Sequence, residues 1–301
     1  MKFFRFLFNF IFSFLLIISI FLNFAINTLK NNILDKQYIV DKMNEVGYYN
    51  QLFDEINSGF ENYIYQSGLP TDTIKDLFTI DDLKGDVNVD INHIYDGAEL
   101  TNKKEQVRAN IDSKVQSYIS SQNIKVDNLT KSNIEKFEDL IVKEYDEGLR
   151  PSEKLFDYLK SIISVLKMAV TYEKYVRASL VIIIVFLIII NIKNLIQAIN
   201  FAGISVFVLG ILELFSIRYI NNAIKFDNLL IVRKSFTNLV VNLTKEIMFK
   251  YQDTAKLMTF IGGFTIILTI VLLSFDKDKR DFMKNINPEI KPKQRKRKEL
   301  E

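Results

Sequence analysis

Carboxylates are the residues of this 301-residue chain with the types and spacing to do chemistry. They are densest in the run Asp81, Asp82, Asp86, Asp90, Asp96 and Glu99. Asp86, Asn88 and Asp90 match the first three liganding positions of an EF-hand calcium loop. The match then fails, because Ile91 stands where the loop needs a glycine and Gly97 where it needs a bidentate glutamate. On a helix, Asp82, Asp86 and Asp90 fall at i, i+4 and i+8. That spacing predicts a solvated acidic stripe, loosely attractive to divalent cations.

His93 is the single histidine, and no second histidine stands at metal-ligand spacing from it. The chain has no cysteine, which excludes thiolate nucleophiles, Cys-ligated metals and disulfides. Gly-x-Ser-x-Gly, Gly-x-Gly-x-x-Gly and Walker-type loops are absent from the sequence. The residues therefore predict no catalytic, cofactor-binding or metal site and a non-enzymatic protein.

Four apolar runs organise everything else. The first, Phe6 to Ile26, is long enough as a helix to cross a bilayer, and Lys2 and Arg5 precede it. A cleavable signal peptide is the rival reading. The length of the run and the poor cleavage site at Asn23-Phe24-Ala25-Ile26 favour a retained anchor over residues 1–28. Ala178–Ile192 is short and spans by extension, with Tyr175 and Val176 added and Arg177 and Lys193 snorkelling. Phe201–Ile217 follows after a short connection, and Leu257–Phe275 lies between Lys256 and Asp276. The expected spans in the C-terminal part are 178–194, 201–218 and 257–275.

Charge is distributed unevenly along this layout. Residues 29–150 carry 14 Lys/Arg against 23 Asp/Glu, a net of −9, whereas 276–301 carry 10 against 6, a net of +4. Four spans put both termini on one side, and the basic tail makes that side cytoplasmic. Residues 29–177 are then outside, in a multi-pass protein of a plasma membrane. The connection 219–256 runs against this rule, since with Arg218 it holds seven Lys/Arg and three acidic residues.

Residues 29–150 are expected to form an extracytoplasmic helical bundle. Tyr49, Leu52, Phe53, Ile56, Phe60, Tyr63 and Ile64 keep helical spacing up to Gly68 and the Leu69-Pro70 break. Val107, Ile111, Val115 and Ile119 repeat the pattern, as do Ile134, Phe137, Ile141 and Tyr145. Thr71 and Asp81 are expected helix N-caps, and Pro151-Ser152 ends the domain. Residues 151–177 then form an amphipathic helix through Leu155, Phe156, Leu159, Ile162, Ile163 and Leu166. The connection 219–256 carries a similar stripe from Leu229 and Val232 to Ile247. Residues 151–177 are read as a stalk helix running into the second span, as an interfacial helix on the lipid, or as a helix whose apolar face packs on the domain. The two amphipathic helices are expected to support the domain close to the membrane. The fold class is all-α, a polytopic membrane protein with four transmembrane helices.

Polar residues inside the spans are few. Glu213 is expected to meet interfacial water or Arg218, with Asn9, Asn23 and Asn191 weakly placed. Gly203 and Gly210, with Thr259, Gly262 and Gly263, predict close approach of the third and fourth spans. Lys291 to Lys298, with six cations in eight residues, predicts contact with anionic lipids and no nucleic-acid reading.

The order of parts resembles a loosely defined group of uncharacterised bacterial four-transmembrane envelope proteins, with an anchor, a helical outer domain and three clustered spans. The resemblance rests on the Tyr48-Tyr49 helix start, the Ser67-Gly68-Leu69-Pro70 break, the basic turn at Lys193 and the glycine-bearing third span. It implies a layout and brings no activity with it. The expected function is a structural, sensing or partner-binding envelope component. The alternative is an accessory of an oligomeric channel or transporter. Expected partners are the lipid bilayer, and a protein partner or a second copy of the chain.

Overall fold

The computed structural model describes residues 2–101, 103–150, 153–223 and 233–286. The protein is all-α, with no strand among these residues. Its helices are α1 (Lys2–Thr28), α2 (Lys36–Glu45), α3 (Tyr48–Ser67), α4 (Ile80–Asp96), α5 (Lys104–Ser121) and α6 (Asn128–Leu149). They continue with α7 (Glu153–Thr171), α8 (Glu173–Ile190), α9 (Leu195–Ala223) and α10 (Lys234–Ile286). A π-helical turn, Leu29–Ile33, extends α1, and a 3-10 turn, Thr71–Thr73, follows α3. The chain divides into two units.

One unit comprises residues 23–174 and 219–250. Its core holds most of the apolar positions that the helical spacing picks out, while Phe53, Tyr63 and Ile134 are only partly buried. Leu77, Phe78, Leu83, Val87 and Ile91, which that spacing did not single out, also belong to it. Leu52, Ile56, Phe60 and Ile64 on α3, Val107, Ile111 and Val115 on α5, and Ile141 and Tyr145 on α6 are all buried. Helix α3 stops at Gly68, whose φ of 73° is the left-handed conformation that glycine adopts at no steric cost. The N-cap of α4 is Thr79 and not Asp81. Thr79 Oγ1 accepts from the Asp82 backbone N–H at 3.1 Å, and the Asp82 carboxylate accepts from the Thr79 N–H at 3.0 Å. This reciprocal box satisfies two backbone donors, which Asp81 one residue inside the helix cannot do. Thr71 likewise opens only the 3-10 turn, behind Pro70 as N-cap. Pro151 and Ser152 lie outside the described residues.

Two later segments join this core. Helix α7 packs on α4, with Ile163 buried. The first turns of α10 bring Leu239 into the core, 3% exposed. Around it Ser235 N–H donates to Glu55 at 2.9 Å, Asn238 donates to Gln51 at 2.7 Å, and Arg233 pairs with Glu144 at 3.0 Å. Leu229 and Val232 of the same expected stripe lie outside the described residues. No helix break separates this stripe from the fourth apolar run, because α10 continues from Lys234 to Ile286. Nothing between Phe236 and Ile261 is glycine or proline, so the sequence offers no breaker there.

The other unit comprises residues 1–22, 175–218 and 251–301. Here α1 and α8 run antiparallel: Asn9 meets Asn191, Phe12 stacks on Phe186 at 5.2 Å, and Ser19 lies 3.1 Å from Ser179. Helices α9 and α10 are also antiparallel, with Gly203 opposite Thr265 and Gly210 opposite Thr259. A Cβ on Gly262 would sit 2.4 Å from the Phe207 backbone nitrogen, so only glycine allows this approach. Gly262, more than Gly263, is the contact residue.

Three helices are long and apolar enough to cross a membrane, those covering Phe3–Ile33, Leu195–Ala223 and Lys234–Phe275. Helix α8 is not among them. Its 18 residues begin with Glu173, Lys174 and Arg177, which leaves the apolar part short.

Candidate functional site

The acidic run of α4 is packed inward. Asp86 and Asp90 are buried, which overturns the expected solvated stripe. Asp86 accepts from the Tyr145 hydroxyl at 2.8 Å and from the Lys103 backbone N–H at 2.9 Å. Asp90 accepts from Arg150 Nε at 2.9 Å and Nη2 at 2.6 Å. Burial pushes the Asp90 carboxyl above its usual range, although Arg150 opposes the shift. Burial, and then the bond to Asp86, pushes the Tyr145 hydroxyl up. Asp82 goes the other way, held down first by its bond to Lys103 and then by Thr79. These carboxylates fasten α4 to α6 and to the start of α5.

His93 is also engaged. Its Nδ1 lies 2.5 Å from the Ala98 carbonyl and its Nε2 3.2 Å from Lys160 Nζ, with the ring stacked on Phe156. Among the described residues, no group of three or more His, Asp or Glu side chains is placed to hold a metal ion.

A groove opens on this unit. It is a cavity of about 440 Å³ where the end of α3 meets α5 and α6, lined by Tyr63, Leu69, Ile119, Ile124, Ile134 and Phe137. Ile124, which lines the groove, stands exposed in the turn between α5 and α6. Val126 in the same turn and Leu129 in the first turn of α6 are also exposed, Leu129 at 70%. Exposed apolar side chains gathered at a concave surface are what a partner's apolar face buries. A second cleft, of about 680 Å³, opens between α5 and α6 and is acidic. Glu138 lines it, 7% exposed, with no hydrogen-bond partner for Oε1. Burial, followed by the charge of Asp112, raises the Glu138 carboxyl above its usual range.

No family model matches the chain, and neither a curated protein nor a solved structure matches it. The geometry therefore carries the functional reading.

In the apolar unit the structure gathers polar residues that lie far apart in sequence. Asn191, fully buried, accepts from Arg5 Nη2 at 2.9 Å and from Asn9 at 3.2 Å, and donates back to Asn9 at 2.7 Å. Ser205 Oγ donates to the Ser13 carbonyl at 3.1 Å, and Thr269 donates to Asn200 at 2.9 Å. Glu213 is the exception. It is buried and both carboxylate oxygens lack a partner, so neither Arg218 nor any other described residue pairs with it. Of the two expected alternatives, interfacial water and Arg218, the pairing with Arg218 is not formed. Asn9 and Asn191 were each legible as intruders in an apolar run, but their pairing required the antiparallel contact of α1 and α8. Glu138 had a local signal: it sits four residues after Ile134 and four before Val142, on the apolar face of α6. The basic run Lys291–Lys298 lies outside the described residues.

Proposed function

We propose that this protein is a non-enzymatic envelope component that holds a helical binding domain at a bacterial plasma membrane. It spans four times, with both termini cytoplasmic and residues 29–177 outside, in the layout of the envelope proteins it resembles. Helix α8 is the fourth span. Its support is the antiparallel pairing with α1 from Asn9–Asn191 to Ser19–Ser179. The basic tail rests on anionic lipid.

The observation that carries the binding reading is the apolar groove between α3, α5 and α6. Its occupant is an amphipathic helical segment of a partner protein with basic residues beside its apolar face. The apolar side fits Ile124, Ile134 and Phe137, and the basic side suits a domain of net charge −9. A photo-crosslinking residue placed at Ile124 in cells is expected to give a discrete protein adduct. The same residue at Asp157 on α7 serves as the control. Equal adducts at both positions, or none at Ile124, would sink the reading.

One observation favours a second role, as a channel or transport accessory: the unpartnered buried Glu213 of α9 in the apolar unit. Ion flux through proteoliposomes of the purified chain, abolished by Glu213→Gln, would favour it. No flux would remove it.

A further inference from the structure

The acidic cleft between α5 and α6 has features that packing does not explain. Glu105, Asp112, Glu135 and Glu138 contribute four carboxylates to its lining. Arg108, one of two cations there, is tied to Asp139 at 2.5 Å. Lys131, on the rim, is the other, so the carboxylates outnumber the charges available to them. Glu138 is nine-tenths buried with Oε1 unpaired, although a buried acceptor left unmade is costly. An arrangement that keeps such a group implies an occupant that supplies the donor.

The chemistry of that occupant follows from the rest of the lining. Without a three-ligand grouping among the described residues, a bare metal ion lacks its coordination shell. Val126 and Ile134 give the cleft an apolar wall, and about 680 Å³ is far more room than one ion needs. A cation on a hydrocarbon stem uses both: the stem lies along the apolar wall while the head donates to the carboxylates. We propose that this cleft binds an organic cation, an ammonium or guanidinium group on an aliphatic stem, with Glu138 as its buried acceptor. The site is separate from the partner groove, although Ile134 borders both, and it does not depend on that reading.

The test is calorimetric titration of the purified full-length protein in detergent with spermidine and, separately, with the amide of N-acetylarginine. At least one probe is expected to bind, and Glu138→Gln to weaken it by about tenfold or more, as losing a charge-assisted hydrogen bond does. Lys131→Gln is expected to tighten binding by removing a like charge from the rim. Tighter binding of spermidine assigns a free polyamine as the source; tighter binding of the arginine amide assigns a basic side chain of a protein. Absence of binding by both probes overturns the proposal, as does undiminished affinity in a folded Glu138→Gln protein. If that variant fails to fold, the exposed Lys131→Gln change decides, and an unaltered affinity there overturns it.

Discussion

Arg150 matters to stability because of what it leaves behind when removed. Asp90 is buried and depends on the guanidinium for two hydrogen bonds, so Arg150→Ala strands a carboxylate in the interior. The expected loss is about 3 kcal/mol, read as a lower midpoint in chemical denaturation followed by circular dichroism. Glu138→Gln is expected to do the opposite. The folded Glu138 carboxyl titrates above its unfolded value, so the native state binds more protons between those two values. Stability therefore falls as pH rises through that window. At neutral pH the amide is expected to stabilise the protein by roughly 1 kcal/mol, and the difference from wild type to vanish below about pH 4. Equal stability of the two proteins at neutral pH would contradict this. Residues of this kind were the least legible in the sequence. The Asp82–Asp86–Asp90 spacing has the look of a solvated stripe because Tyr145 and Arg150, the partners that bury it, lie on another helix. Only the folded chain brings them together.

Among the elements, α10 departs most from its sequence reading. A connection and a span were expected, and one helix of 53 residues is observed. Its first turns belong to the core of the helical unit through Leu239. Leu239→Ala is expected to cost about 3 kcal/mol, in the same denaturation assay. A fragment of residues 29–150 is expected to be less stable than the same fragment given a peptide of residues 233–250. If the peptide has no effect, the element is dispensable. Helices α3, α5 and α6 were legible because their burial repeats at the helical period: Tyr49, Leu52, Ile56, Phe60 and Ile64 are all in the core. The N-cap was legible too, as a Thr-x-x-Asp box at Thr79, yet the acidic run beside it drew the assignment to Asp81. Continuity of α10 from the amphipathic stripe into the apolar run was signalled only by the lack of a glycine or proline between Phe236 and Ile261.

At the scale of the molecule, the proposed topology makes a direct prediction. The chain has no cysteine, so single cysteines report without background. A cysteine replacing Leu129 is expected to react with a membrane-impermeant maleimide on intact cells, and one replacing Lys293 only after permeabilisation. Labelling of the Leu129 site solely from within would reverse the orientation. The all-α class and the three strongly apolar helices followed from composition and length. The short run at Ala178–Ile192 was read as a span by extension, yet α8 falls outside the helices that are long and apolar enough to cross, because Glu173, Lys174 and Arg177 occupy its start.

The pairing of Asn9 with Asn191 has a consequence for how the protein is made. The two residues are 182 positions apart in the chain. At a synthesis rate of about 5–20 residues per second, α1 is complete roughly 10–40 s before α8 exists. On the proposed topology, the first helix waits in lipid during that interval without the partner its amide meets in the folded chain. A carbonyl one turn back on the same helix, as Asn191 uses at Leu187, or water at the insertion machinery serves in place of Asn191 until α8 arrives. Assembly of this membrane unit is thus a step that follows insertion, timed by the length of the domain between the two asparagines.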